Sequence, residues 1–83
     1  TITPMQGSGY YSADHEEGRR IVNAWIRTLK VADGFLDFDA LMRDPKKPTA
    51  LRKGLCLADR LHPNAAGYKE MGRYAADFFA KTR

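Results

Sequence analysis

Ile21-Val22-Asn23-Ala24-Trp25-Ile26-Arg27-Thr28-Leu29, followed after Asp33-Gly34 by Phe35-Leu36-Asp37-Phe38, decides the fold class. In the first stretch apolar side chains return at helical spacing, at Ile21, Val22, Trp25, Ile26 and Leu29. That recurrence marks an amphipathic helix. Upstream, Ser12 is a good N-cap, and Asp14, Glu16 and Glu17 fall where the positive helix end favours carboxylates. The spacing predicts a helix from about Ala13 to Leu29, with an apolar stripe wide enough to need a large surface such as a sheet. Asp33-Gly34 breaks it, and Phe35 to Phe38 reads as a short, mainly apolar strand. Thr1-Ile2-Thr3-Pro4 reads as the end of another strand, β-branched residues stopped by a proline. Strand end, helix, strand is the order of an α/β layer fold with a parallel sheet.

The remaining chain is punctuated by turn residues. Met5 to Tyr11 holds Gly7, Ser8 and Gly9 and reads as a loop. Asp39 reads as the cap of a brief helical turn, Ala40 to Arg43. Asp44 to Thr49, with two prolines and two lysines, reads as surface loop, and Leu51 to Leu61 is irregular. A second helix is expected from Pro63 or Asn64 to about Ala80, with apolar positions Tyr68, Met71, Ala75, Phe78 and Phe79. Trp25, Phe78 and Phe79 are expected in the core. Two strand fragments are too few for a parallel sheet, whose strands are buried on both faces. A chain of 83 residues also buries only about 60% of its unfolded surface. Residues 1–83 are therefore expected to be the C-terminal part of a larger α/β domain.

Composition narrows the class. Hydrophobic residues are 43% and charged residues 29%, ordinary for a globular chain and unlike a disordered one. No apolar run approaches the roughly 20 residues of a membrane span. One cysteine forbids an internal disulfide, and one cysteine with two histidines is too little for a structural zinc site. No metal or other cofactor is implied. The lone cysteine fits either redox compartment. The formal charge is +4, and Arg43 to Arg60 alone carries six basic residues against two acidic, a surplus equal to the whole. Such runs are usually solvated surface. The absence of interleaved aromatics argues against nucleic-acid binding by stacking.

The stretch with chemical content is Ala58-Asp59-Arg60-Leu61-His62-Pro63-Asn64-Ala65-Ala66-Gly67-Tyr68. An Asp three residues before a His, just ahead of a helix, can fold back so that its carboxylate accepts the Nδ1 proton. That bond fixes the tautomer and leaves Nε2 free to take a proton from a nucleophile. Pro63 suits the first helical position and Asn64 a cap.

This block resembles the closing block of the SGNH, or GDSL, hydrolase family, Asp-x-x-His followed by Pro-Asn and Gly-Tyr. Ile2-Thr3-Pro4 looks like the strand end and loop that family members carry before their penultimate helix, and Phe35 to Asp39 like their last sheet strand. The resemblance covers essentially the whole chain but only about the final third of a family domain. It implies a three-layer α/β/α flavodoxin-like sandwich and a serine ester hydrolase, with His62 the general base and Asp59 its orienting carboxylate. No Gly-Asp-Ser block or Gly-x-Asn-Asp block occurs in residues 1–83, and no glycine is identifiable as an oxyanion donor. The chain alone is thus expected to be inactive, its partner being the N-terminal half of the same domain and its substrate a small ester.

Other candidates read more plainly. Ser8 and Ser12, the only serines, sit in a glycine loop and at a helix start. Cys56 is near enough in sequence to pair with His62 as a nucleophile, but Leu55 and Leu57 mark it as a small buried hydrophobe. His15 reads as a surface residue of a first helical turn. Asp37 reads as a strand-edge contact and Asp39 as a cap rather than as metal or catalytic carboxylates. Tyr10 and Tyr11 sit where a cleft wall is expected. The alternative function is a small basic interaction module that grips an acidic partner through Lys46, Lys47, Arg52 and Lys53.

Overall fold

The computed structural model describes residues 1–81. Helix α1 spans Ala13–Arg27, and a short helix α2 spans Phe38–Met42. Strands β1, Arg43–Asp44, and β2, Lys47–Leu51, form a hairpin. A 3-10 turn, Lys53–Leu55, leads into helix α3, Ala65–Lys81. The chain is a mixed arrangement of helices and a small sheet, with a radius of gyration of 13.2 Å against about 12 Å for a compact domain of this length. The excess reflects a flattened body, only 19 Å through its thinnest axis.

The sheet corrects the sequence reading. Among the described residues the only ladder is antiparallel, β1 with β2, pairing Arg43 with Leu51 and Asp44 with Lys47. The segment read as surface loop is this hairpin. Pro48 hid it, yet proline is tolerated where a strand has a partner on one side only. Thr1 to Pro4 and Phe35 to Asp37 belong to no strand. They do meet: the Thr1 nitrogen donates to the Leu36 carbonyl at 2.6 Å, and the Thr1 hydroxyl to Asp37 at 2.9 Å. Gln6 joins this segment to the hairpin, its N–H donating to the Thr49 carbonyl at 2.9 Å while its side-chain oxygen accepts from the Thr49 hydroxyl.

Helix α1 begins as expected, with the Ser12 hydroxyl accepting from His15 N–H at 3.0 Å. Its packing is the reverse of the expectation. Glu16, Arg19 and Asn23 are buried, while Ile21 and Trp25 are more than 60% exposed. The inward stripe is polar because it answers polar groups. Asn23 takes both backbone groups of Ile2, accepting its N–H at 2.7 Å and donating to its carbonyl at 2.8 Å, as a neighbouring strand would. Arg19 forms two bonds to Glu16 and one to Asp39 at 2.7 Å. The apolar stripe has no sheet beneath it among the described residues, so Trp25 is surface rather than core. Phe79 is likewise 56% exposed, and Phe78 is half-buried.

The core is small: Met42, Leu51 and Cys56, with Leu41, Leu55 and Met71 packed against it. It lies where α2, β2 and α3 converge. Tyr74 of α3 reaches across to α2, stacking at a tilt on Phe38 and accepting the Asp37 N–H at 3.1 Å. Gly67, in the first turn of α3, lies so close to the preceding chain that a Cβ there would sit 2.2 Å from the Leu55 carbonyl oxygen. That close approach fixes the helix start against residues 55–63, and with it the segment carrying Asp59 and His62.

Candidate active site

The Asp59–His62 segment is a closed turn. Its ends are tied by Leu57 N–H to the His62 carbonyl at 2.9 Å, and its middle by Arg60 N–H to the Leu57 carbonyl at 3.0 Å. Cys56 and Pro63 form an isolated antiparallel bridge at its base. Asn64 caps α3 with Oδ1 accepting from Gly67 N–H at 2.8 Å, and its amide donates back to the Gly54 carbonyl at 3.0 Å. Pro63 thus lies just outside the helix, and Asn64 does the capping.

Within this frame one carboxylate makes three bonds. Asp59 Oδ1 accepts from the N–H groups of Leu61 and His62, at 3.0 and 3.1 Å. Oδ2 lies 2.6 Å from His62 Nδ1. A carboxylate accepts only, so Nδ1 carries the proton and Nε2 presents a lone pair. The His62 bond, followed by the two backbone donors, holds the Asp59 carboxyl below the usual 3.8, at about 2. It is therefore an anion across the whole neutral range. The His62 side chain is 61% exposed, and Nε2 meets no hydrogen-bond partner among the described residues. An imidazole oriented from behind and open in front can accept a proton from whatever is brought to Nε2.

The other candidates are occupied otherwise. Ser8 Oγ accepts from Tyr10 N–H at 3.2 Å, and Ser12 Oγ is the α1 cap. Cys56 is buried in the core. His15 Nδ1 lies 2.7 Å from the Tyr10 carbonyl, tying the glycine loop to α1. Asp37 and Asp39 do not take the roles expected of them. Asp37, not Asp39, caps α2, accepting from Ala40 N–H at 3.1 Å. Asp39 is buried among three arginines, 2.7 Å from Arg19, 2.9 Å from Arg27 and 3.2 Å from Arg43. Asp37 in turn takes two bonds from Arg27, which with the backbone N–H of Ala40 and the Thr1 hydroxyl bring its carboxyl down to about 2. The signal for this cluster was in the sequence: Glu16, Arg19, Asn23 and Arg27 recur at helical spacing as regularly as the apolar stripe does. Lys46, Lys47, Arg52 and Lys53 all lie exposed on the hairpin and the turn after it.

No cluster of three or more His, Cys, Asp or Glu side chains suited to a metal occurs among the described residues. None of the helices described is long and apolar enough to cross a membrane.

The turn thus presents an aspartate-bound histidine ahead of a capped helix. The family model for GDSL-like lipases and acylhydrolases matches residues 1–75, and the chain belongs to that family. A search of curated proteins gave no match.

Proposed function

We propose that this chain is the C-terminal portion of a serine ester hydrolase, a three-layer α/β/α sandwich in its complete form, to which it contributes the general base His62 and the orienting carboxylate Asp59. Family membership supports an acylhydrolase-type activity; the observation that carries the residue assignment is the 2.6 Å contact between Asp59 Oδ2 and His62 Nδ1, with Nε2 open. Residues 1–83 contain no Gly-Asp-Ser block, so the nucleophilic serine and the oxyanion donors are assigned to polypeptide outside them, the N-terminal half of the same domain. The substrate class is a small carboxylic ester.

The chemistry follows from which proton each atom can hold. As the serine oxygen attacks the ester carbonyl carbon, its proton passes to His62 Nε2. The resulting imidazolium donates Nδ1–H to the Asp59 carboxylate, which stabilises its charge without taking the proton. The tetrahedral adduct collapses and expels the alcohol oxygen, which receives the Nε2 proton. Water then enters, loses a proton to Nε2, attacks the acyl-enzyme and releases the acid, and the serine recovers its proton from His62. Asp59, already ionised down to about pH 2, needs no change of state in either half.

The test is turnover of a chromogenic short-chain ester by the complete domain. His62→Ala is expected to lower kcat by about 10³-fold or more, because a nucleophile without its base loses most of its acceleration. Activity within a few-fold of the parent would overturn the proposal.

A further inference from the structure

Arg60 lies between the two residues of the dyad and has a backbone unlike its neighbours. It is the sole non-glycine residue with positive φ among those described, at 59°. An L-residue pays sterically for the left-handed region, and such residues persist where surrounding contacts determine them. Here three contacts do so. The Arg60 N–H donates to the Leu57 carbonyl at 3.0 Å. Its Nη2 donates to the Leu51 carbonyl, in β2, at 3.2 Å. Its aliphatic stem lies on Gly7, where an added Cβ would come within 3.2 Å of Arg60 Cγ. Gly7 is itself left-handed, with φ 97°, so two unusual backbone positions far apart in sequence interlock.

We infer that Arg60 is a positioning residue of the dyad: its left-handed backbone turns Asp59 back onto the N–H groups of Leu61 and His62, and its side chain couples that turn to the glycine loop at Gly7. The inference rests on the reading of His62 as the base. The left-handed step falls between the Asp59 carboxylate and the two N–H groups and imidazole that it holds, so Arg60 sets how these partners are presented to it. The guanidinium, anchored on Leu51, holds the turn against β2 and makes the glycine loop its other wall. A shift in that loop is therefore felt at His62.

The tautomer of His62 reads this without any turnover. In the uniformly 15N-labelled full chain, at a pH where the ring is neutral, two-bond proton–nitrogen correlations distinguish Nδ1–H from Nε2–H. The expected wild-type form is Nδ1–H. His15, whose Nδ1 faces the Tyr10 carbonyl, is an internal reference for the Arg60 variants and stays Nδ1–H in them. Arg60→Gly keeps the left-handed backbone and retains Nδ1–H at His62. Arg60→Val, β-branched and averse to positive φ, loses it, and the ring reverts mainly to Nε2–H, the favoured form of free histidine. Gly7→Ala pushes on the Arg60 stem and moves the population part of the way. Retention of the wild-type tautomer in folded Arg60→Val overturns the backbone role, and an unchanged tautomer in Gly7→Ala overturns the coupling. If Arg60→Val proves unfolded by circular dichroism, the Gly7→Ala result alone decides, an unchanged tautomer there overturning the inference. A wild-type His62 found as Nε2–H overturns the inference at its root. Failure of the esterase reading shows separately, as surviving turnover in His62→Ala.

Discussion

Two glycines of one helix should respond to the same substitution with opposite signs. Gly67 and Gly72 both lie in α3. At Gly72 an added Cβ meets nothing within 4 Å, so Gly72→Ala gains only the helix-propensity difference, about 1 kcal/mol. That should raise the melting temperature by about 4–8 °C for a domain of this size. At Gly67 the same methyl would sit 2.2 Å from the Leu55 carbonyl oxygen and 3.0 Å from both Met42 Cε and Pro63 Cβ. Backbone cannot rotate away as a side chain does, so the helix start must move. Overpacking of this kind costs about 1–3 kcal/mol, and contact with a main-chain oxygen puts it at the top of that range. Subtracting the same propensity gain leaves a net loss of about 2 kcal/mol, a fall of about 10 °C. The assay is a thermal melt followed by circular dichroism on both variants and the parent. Gly67→Ala melting at or above the parent would refute the packing of α3 against residues 55–63, and with it the frame that holds Asp59 and His62.

Other perturbations probe other parts of the structure. Asp39→Asn leaves buried Arg19 short of one partner and should destabilise the chain by about 3–5 kcal/mol, read by urea unfolding. Ser12→Ala removes the α1 cap and should cost about 1 kcal/mol in the same assay. Asp37 has its carboxyl lowered from the usual 3.8 to about 2 by Arg27. Its contribution, about 1 kcal/mol after solvent screening, is complete above pH 3.8 and lost as pH falls through about 2. Asp37→Asn should therefore lower stability at neutral pH and flatten its decline at acid pH, as measured by unfolding at a series of pH values. In the complete domain Asp59, whose carboxyl stays ionised to about pH 2, should add no acid step near pH 4 to ester turnover; a pH–rate profile with such a step would contradict this.

What could be read from the sequence was what the sequence settles locally. Both long helices were, because caps and apolar spacing lie within them: α1 starts at Ala13 behind Ser12 as expected and ends two residues short of the expected Leu29, and α3 runs Ala65–Lys81. The Asp59–His62 contact was also legible, since three residues of turn decide it. The hairpin was not, because Asp44 to Thr49 carries two prolines and two lysines that read as loop, while a two-stranded ladder leaves outward N–H groups free and tolerates them. Nor was the burial of α1. Its polar and apolar stripes are equally regular, and periodicity names two faces without saying which one the rest of the chain will meet. That answer came from the carbonyl of Ile2 and the carboxylate of Asp39, groups whose positions depend on contacts far apart in sequence. Asp37 and Asp39 depart from expectation for the same reason: α2 begins two residues earlier than a helix capped by Asp39 would, and the freed carboxylate is claimed by Arg19 and Arg27 of α1 and by Arg43.

The dyad and the exposed face of α1 place different demands on the fold. The hydrogen bonds that shape the Asp59–His62 turn come from residues 51–67, while Gly7 packs on it from outside that span. His62 can therefore be oriented by its own segment, against a carboxylate that is already ionised. Ile21 and Trp25 are in the opposite situation: each is more than 60% exposed, and burying such a side chain is worth about 1.5–3 kcal/mol, stabilisation that these residues do not obtain from this chain. On the proposal made above, assembly with the N-terminal half would supply that burial while leaving the dyad turn as it stands. Orientation of the base and stability of the domain would then be carried by separate surfaces, so Trp25→Ala should weaken assembly while leaving the His62 tautomer unchanged, whereas Arg60→Val should do the reverse.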